Sequence, residues 1–333
     1  MREPVLGGIA HTDADRPCPV LRPGNTNCGG CGMSITLHML SRAIAGRSVR
    51  IVIPACCGIV TAGPYPYSAY GAPVIASTFA AAAAVATGFA RAAAANGDPT
   101  RVLCFAGDGG TYDIGLATVS AAAERNEDIL FICYDNEIYG NTGGQRSSAT
   151  PLGATTTTTP AGKRVPKKDI LGVMAAHRIP YAASISLAHP EDMMRKLTRA
   201  LDARGFRFLH VLSPCPTGWK SEPAEGIELV RLAVDSGLYP VLEIVDGREW
   251  TLNVRPTFSE TSLRTFIESQ GRFARSEVSA REVREGILEA WDDLWLRCER
   301  RGGTAGEPAA GRGVVPPPHA AESGPKQHPV AAE

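Results

Sequence analysis

The chain has 333 residues, 44% of them hydrophobic, and its 34 basic side chains balance 34 acidic ones. This length is enough for a substantial core in one large domain or two ordinary ones. The neutral charge gives no indication of a nucleic-acid or other polyanionic partner. Nine cysteines without an apolar leader after Met1 are typical of a reducing compartment, which predicts the cytoplasm.

Short apolar runs alternate with helical stretches, which predicts an α/β fold with a mostly parallel sheet and helices on both faces. The predicted strands are 50–54, 102–106, 129–134, 181–186 and 206–212. The predicted helices are 34–45, 79–96, 114–125, 168–177, 190–204, 225–235 and 280–300. The stretch 51–90 carries no charge, but its prolines disfavour a membrane span.

The composition divides the chain into an N-terminal segment (1–27), one domain (28–300) and a tail (301–333). From Gly302 onward, Gly, Pro, Ala and polar residues dominate without apolar periodicity. Such a composition predicts a disordered tail.

Two short polar sequences follow neighbouring predicted strands: Gly-Asp-Gly-Gly at 107–110 and Asp-Asn at 135–136. Glycines at a strand end let the backbone approach a diphosphate, and the next helix N-terminus offers free N–H groups. Carboxylate, amide and carbonyl oxygens are the ligands that Mg²⁺ prefers. The two sequences together predict a site for thiamine diphosphate and Mg²⁺, although a Gly-Asp-Gly sequence alone would more simply be a turn. The residues expected to form it are Gly107, Asp108, Gly109, Gly110, Asn136 and the carbonyl of Ile138.

Several cysteines follow predicted strands, in the same relative position as Asp108 and Asn136. Cys28 and Cys31 form a C-x-x-C loop before a helix, whereas Cys56-Cys57 and Cys215 follow predicted strands. Ligands of an open parallel sheet gather at the carboxyl ends of its strands, so we expect these thiols beside the diphosphate site. Four thiolates suit either zinc or a [4Fe–4S] cluster. A one-electron acceptor beside thiamine diphosphate would allow a 2-oxoacid to be oxidised, which favours iron–sulfur.

The other cysteines and the histidines on regular elements are expected to pack rather than to act as ligands or bases. They are Cys104, Cys133, Cys298, His38, His177 and His210.

Seven segments together resemble the beta subunit of pyruvate:ferredoxin oxidoreductases, in the 2-oxoacid:ferredoxin oxidoreductase family. The segments are 107–115, 134–137, 141–147, 149–151, 156–163, 215–219 and 270–273. The resemblance covers roughly residues 28 to 300 and implies a thiamine diphosphate-binding fold. In combination these segments are highly specific for the family, and much less so for one oxoacid over another.

The resemblance implies roles for individual residues. The segment after Cys57 aligns with the stretch after the family's third cysteine, so Cys57 rather than Cys56 is the implied ligand. Asn141 matches an asparagine that faces the reacting centre, where it would orient without ionising. The implied ligands are Cys28, Cys31, Cys57 and Cys215 for a [4Fe–4S] cluster, and Asp108, Asn136 and Ile138 for Mg²⁺.

The implied reaction is the CoA-dependent oxidative decarboxylation of pyruvate to acetyl-CoA and CO₂, with electrons passing through the cluster to ferredoxin. An alpha subunit would supply the pyrimidine half of the site, and gamma and ferredoxin-like delta subunits or equivalents would complete the complex. A branched 2-oxoacid such as 2-oxoisovalerate is an alternative substrate. A non-oxidative thiamine-dependent decarboxylase with zinc or merely packed cysteines is a second alternative, and a non-enzymatic zinc-stabilised assembly subunit is disfavoured because the magnesium ligands would then have no purpose.

The chain departs from the family in two places. Residues 54–59 read Pro-Ala-Cys-Cys-Gly-Ile, where Thr-Gly-Cys is typical. Ala80 and Ala81 follow Phe79, where an acidic residue and an asparagine are usual. Partner contacts or substrate range are therefore expected to differ.

Overall fold

The structure, a computed structural model, describes residues 19–63 and 67–299. Its strands are β1 (Val49–Pro54), β2 (Val74–Ser77), β3 (Arg101–Gly107), β4 (Ile129–Asp135), β5 (Tyr181–Ile185), β6 (Arg207–Leu212), β7 (Val241–Val245) and β8 (Glu249–Val254). Its α-helices are α1 (Gly32–Ile44), α2 (Cys57–Val60), α3 (Ala82–Ala95), α4 (Leu116–Glu124), α5 (Ile170–Ala176), α6 (Pro190–Asp202), α7 (Pro216–Trp219), α8 (Gly226–Asp235), α9 (Glu260–Glu268) and α10 (Ala280–Glu299). A π-helical turn spans Gly109–Asp113 and a 3₁₀ turn spans Pro223–Glu225.

All eight strands form one sheet in the order β2-β1-β3-β4-β6-β5-β7-β8. The first six in this order pair in parallel, whereas β7 is antiparallel to β5 and β8 is antiparallel to β7. One core lies between the sheet and helices α1 and α6, and a second core contains side chains of α3, α4, α5 and α10. The predicted fold class, a mostly parallel sheet with helices on both faces, is confirmed.

The central strands are buried along their whole length because helices cover both faces of the sheet. Every residue of β4 and of β6 is buried. Strands of this kind read as continuous apolar runs rather than as alternating patterns. This is why the sequence predicted them well, to within one residue at either end.

The structure contains six strands and helices that the sequence analysis did not predict: β2, β7, β8, α2, α7 and α9. Strand β2 has only four residues and is partly exposed at the sheet edge. The turn between β7 and β8 places Asp246 and Gly247 at φ 51° and 65°, the left-handed conformation of a tight hairpin. The Asp-Gly pair could have indicated the hairpin in the sequence. Strand β7 was not predicted because the acidic Glu243 interrupts its apolar run.

Five helices are shorter than predicted: α3, α4, α5, α6 and α8. The predicted helix 114–125 begins at Leu116, because the π-helical turn occupies the residues that follow the glycines. The predicted disordered tail (301–333) and the last residue of the predicted helix 280–300 lie outside the described residues. Most of the predicted N-terminal segment 1–27 also lies outside them. Within residues 19–63 and 67–299, no helix has the length and apolarity needed to span a bilayer.

Lys196 on α6 gives the fold a testable pH dependence. Its Nζ is buried, 2.7 Å from Oδ2 of Asp192 and 2.9 Å from the carbonyl oxygen of Ser184. Burial lowers the pKa of Lys196 from 10.5 to about 8, although Asp192 opposes the shift. Between those values the unfolded chain binds more protons than the folded chain, so the free energy of unfolding rises with pH.

We expect Lys196→Met to remove this contribution, so that stability rises less between about pH 8 and about pH 10 than in the wild type. Urea unfolding at the two pH values measures the difference. The exposed Lys220 supplies the control, since Lys220→Met should keep the wild-type slope. An unchanged slope in Lys196→Met would contradict the assignment.

Candidate active site

The candidate site lies at the carboxyl ends of β1, β3, β4 and β6, which are neighbours in the sheet. Each of these strands is followed within three residues by a residue that the sequence analysis singled out: Cys57, Asp108, Asn136 or Cys215. Parallel strands present their carboxyl ends at one edge, so sheet pairing alone brings these side chains together. The sequence analysis expected this convergence, and the structure has it.

Three oxygen atoms meet at the ends of β3 and β4. The side-chain oxygen of Asn136 lies 2.8 Å from the carbonyl oxygen of Ile138 and 2.9 Å from Oδ1 of Asp108. Reversing the amide would convert both contacts into hydrogen bonds. Octahedral Mg²⁺ with bonds of about 2.0–2.1 Å, however, places adjacent ligand oxygens about 2.9 Å apart. The observed separations fit that geometry, and a cation between the oxygens would remove their mutual repulsion.

The environment of Asp108 also favours a bound cation. Its side chain is buried, and the Ser147 hydroxyl donates to Oδ2 over 2.5 Å. Burial and the nearby charge of Asp135 raise the pKa of Asp108 well above its usual range. A divalent ion would offset both effects and hold the group as a carboxylate.

The glycine directly after Asp108 is required by close packing. A Cβ atom on Gly109 would lie 1.9 Å from the ring of Tyr139 and 3.0 Å from Phe79. The Tyr139 hydroxyl donates to Oδ2 of Asp113 over 2.7 Å, which fixes the ring in place. The floor of the diphosphate site therefore has no room for a side chain at Gly109.

We accordingly expect Gly109→Ala to abolish thiamine diphosphate binding, because the Tyr139 ring must move into the site to make room for the new methyl group. Equilibrium dialysis with the cofactor and Mg²⁺ measures the loss. The double variant with Tyr139→Ala should regain part of the binding, since the clash is removed. Unaltered binding in the single variant would show that the site is roomier than the structure indicates.

The four cysteines predicted to bind a cluster line one cavity. Thr217 donates its hydroxyl to Sγ of Cys28 over 3.8 Å, and the main-chain N–H of Gly218 donates to Sγ of Cys215 over 3.3 Å. Residues around this thiol cavity include Cys28, Cys31, Cys57 and Cys215.

Two thiols of this cavity, those of Cys57 and Cys215, have raised pKa values. Burial, followed by the proximity of Cys215, Cys56 and Cys31, raises the pKa of Cys57 to about 12. Burial likewise raises the pKa of Cys215. Metal ions displace the protons of such thiols, so the donor set fits a thiolate-bound metal group.

Cys56 and Cys57 face different surroundings. Cys57 lines the thiol cavity, whereas Cys56 is absent from it and lines the neighbouring cavity over Asp108 and Gly109. We call that neighbour, with a volume of about 170 Å³, the diphosphate cavity. This arrangement agrees with the preference for Cys57 over Cys56. Among the described residues, no three His, Cys, Asp or Glu side chains are grouped so that they could hold one metal ion.

The two cavities share a wall. Cys57, Tyr134 and Asn136 line both of them. Asn141 lines the diphosphate cavity, and its side chain forms a hydrogen bond that partly offsets the raised pKa of Cys57. Groups bound in the two cavities would therefore be separated by single side chains.

A largely buried network of charged groups adjoins Asn136. Lys167 Nζ lies 2.5 Å from Oδ2 of Asp135 and 2.9 Å from Oε1 of Glu137, and Arg272 Nη1 lies 2.8 Å from Oε2 of Glu137. Although burial opposes it, the charge of Lys167 lowers the pKa of Asp135. The sequence analysis missed this network because its cations are distant in the chain from its acids.

His210 extends the same network. Its Nε2 lies 2.8 Å from Oδ2 of Asp135 and 2.9 Å from the hydroxyl of Tyr112. Burial lowers the pKa of His210, although the hydrogen bond and charge of Asp135 oppose the shift. The prediction that His210 is a packing residue stands, but the residue is also hydrogen-bonded to the acid that precedes Asn136. Cys104 and Cys133 are fully buried in the core, as expected.

Known proteins resemble this chain both in sequence and in fold. Residues 57–211 match the family model for the C-terminal TPP binding domain of thiamine pyrophosphate enzymes. Ketoisovalerate oxidoreductase subunit VorB of Pyrococcus horikoshii is 42% identical over 285 residues, 81% of this chain and 91% of that protein. Pyruvate synthase subunit PorB of Methanothermobacter thermautotrophicus is 42% identical over 259 residues, 76% of this chain and 89% of that protein.

A solved structure is also similar. The 2-oxoglutarate:ferredoxin oxidoreductase from Magnetococcus marinus, with 2-oxoglutarate, coenzyme A and succinyl-CoA bound, aligns with a TM-score of 0.52 and 26% identity. The alignment covers 62% of this chain and 76% of that chain.

Fold and site together define a thiamine diphosphate-binding domain of a multi-subunit oxidoreductase. The chain belongs to the 2-oxoacid:ferredoxin oxidoreductase family, of which it is a beta subunit. The family predicted from the sequence is confirmed.

Proposed function

We propose that this chain is the beta subunit of a pyruvate:ferredoxin oxidoreductase that holds Mg²⁺–thiamine diphosphate and a [4Fe–4S] cluster in adjoining cavities. The observation that carries the proposal is the shared wall: Cys57, Tyr134 and Asn136 line both cavities. Electrons from a reaction on the cofactor would need to cross only this wall to reach the cluster.

The roles of the residues follow from their positions. Asp108, Asn136 and the carbonyl of Ile138 hold Mg²⁺ in the proposal, and the residues at 107–110 leave room for the diphosphate. Thiamine diphosphate, when bound, supplies the carbanion stabilisation that decarboxylation of a 2-oxoacid requires. Asn141 orients the reacting groups through its amide.

The thiol cavity would hold the electron acceptor. A single zinc ion requires all its thiolates within about 2.3 Å of one point. A [4Fe–4S] cluster is held by four cysteine thiolates and accepts electrons, which zinc does not. The thiol cavity adjoins the cavity proposed for the cofactor, where the oxidative reaction needs an electron acceptor, and this supports the cluster. The proposed ligands are Cys28, Cys31, Cys57 and Cys215.

The proposal requires other subunits and a second substrate. An alpha subunit would supply the pyrimidine half of the cofactor site, and gamma and delta subunits or equivalents would carry electrons onward to ferredoxin. Coenzyme A would accept the acyl group, in keeping with its presence in the solved structure of the related 2-oxoglutarate enzyme. A cytoplasmic location remains a prediction.

Branched 2-oxoacids form the second candidate substrate class. A relative named for ketoisovalerate and one named for pyruvate are each 42% identical to this chain, so identity does not favour either acid.

CoA-dependent viologen reduction by the complex purified anaerobically tests the proposal, with pyruvate, 2-oxoisovalerate and 2-oxoglutarate offered in parallel. Pyruvate is expected to give the fastest reduction. Preference for 2-oxoisovalerate would keep the reaction and change the substrate. Absence of reduction by a complex shown to contain iron, sulfide and thiamine diphosphate would contradict the oxidative function.

A further inference from the structure

Trp219, at the end of α7, is bonded to residues of both cavities. Its indole N–H donates to the main-chain carbonyl of Asn136 over 2.9 Å. Its main-chain N–H donates to the carbonyl of Cys215 over 2.7 Å. A single fully buried residue thus contacts a predicted magnesium ligand and a predicted cluster ligand directly.

Arg272 holds the Trp219 ring in place. Its guanidinium lies 4.3 Å from the ring centroid, in the geometry of a cation–π contact. Its main-chain N–H donates to the carbonyl of Trp219 over 3.3 Å. The same guanidinium pairs with Glu137, the residue that follows Asn136. The Asn136 carbonyl and the Glu137 carboxylate are therefore both held by the Trp219–Arg272 pair.

We propose that Trp219 is a positioning residue that fixes the magnesium ligand Asn136 relative to the cluster ligand Cys215. Octahedral Mg²⁺ tolerates little displacement of its ligands, and electron transfer depends steeply on the separation of donor and acceptor. One buried residue serves both requirements, because its side chain is bonded to Asn136 and its main chain to Cys215. This inference rests on the proposed function, because it assumes that both groups bind.

Trp219→Phe tests the inference in the whole complex. The substitution keeps an aromatic ring under Arg272 but removes the N–H group, which leaves the buried Asn136 carbonyl without its donor. Mg²⁺ titration calorimetry with thiamine diphosphate present should show affinity weakened by at least about tenfold, the usual effect of losing a partner of a metal ligand. The EPR g values of the reduced cluster should also shift, with iron and sulfide content unchanged.

Trp291 provides the matched control. Its indole N–H donates to the carbonyl of Gly237 over 2.7 Å, its side chain is also buried, and it lines neither the thiol cavity nor the diphosphate cavity. Trp291→Phe should therefore change neither the Mg²⁺ affinity nor the EPR spectrum. The same changes in Trp291→Phe would indicate general loosening and overturn the inference.

Arg272→Lys is the second variant, since it retains the positive charge and loses the planar contact with the Trp219 ring. Arg272→Lys should weaken the Mg²⁺ affinity and shift the EPR g values in the same direction as Trp219→Phe. Wild-type Mg²⁺ affinity and g values in either variant would overturn the inference. A wild-type complex that lacks iron or thiamine diphosphate would instead count against the proposed function.

Discussion

Cys57→Ser should lose the iron–sulfur cluster, whereas Cys56→Ser should retain about four irons and four sulfides per chain. The reason is the direction of the two side chains: Cys57 lines the thiol cavity and Cys56 lines only the diphosphate cavity. A serine hydroxyl is a much harder and less acidic ligand than a thiol, so it does not replace Cys57 on iron.

Iron and acid-labile sulfide assays on the purified complexes measure this difference, with EPR of the reduced samples as a second readout. The two variants control for each other, because they remove the same atom type from neighbouring residues. Iron lost from Cys56→Ser and kept in Cys57→Ser would reverse the assignment. Zinc in place of iron in the wild type would favour the non-oxidative alternative.

Asp108→Asn should abolish Mg²⁺-dependent binding of thiamine diphosphate, with affinity reduced by more than about 100-fold. Asp108 contributes the only charged member of the three-oxygen set, so an amide at this position leaves the divalent ion bound by neutral oxygens alone. The stability of the cofactor-free chain should not decrease. Burial raises the pKa of Asp108, and a neutral side chain of the same shape removes a charge that is costly without its cation.

Calorimetric titration of cofactor and Mg²⁺, together with thermal unfolding of the cofactor-free protein, measures both effects. Asp98, which pairs with Arg50 at the opposite end of the sheet, supplies the control. Asp98→Asn should bind the cofactor like the wild type. A wild-type affinity in Asp108→Asn would remove Asp108 from the magnesium site.

The diphosphate site could be predicted from the sequence because sheet geometry controls it. Strands β3 and β4 are buried apolar runs that end directly before Asp108 and Asn136. Parallel pairing of two such strands leaves the positions of these residues little freedom. The spacing of the three oxygens, in contrast, depends on the path of the chain from Asn136 to Ile138 and was visible only in the structure.

The network behind the site could not be predicted, because no local pattern relates its members. Lys167 and Arg272 meet Glu137 from distant parts of the chain, and each is a residue type that is ordinarily exposed. The hairpin of β7 and β8 is a different case. Its Asp-Gly turn was present in the sequence, but the assumption of alternating strands and helices excluded an antiparallel edge.

The backbone bonds of the thiol cavity have a consequence for how the subunit matures. The loop that carries Cys28 and Cys31 is tied at both ends: Thr26 N–H donates to the Thr61 carbonyl over 3.1 Å and Gly32 N–H to the Pro214 carbonyl over 2.9 Å. Neither bond needs a metal. These main-chain bonds would therefore help to position Cys28 and Cys31 for a cluster during maturation. Cys28 is the most exposed of the four cysteines, so it is the one most accessible to an incoming cluster.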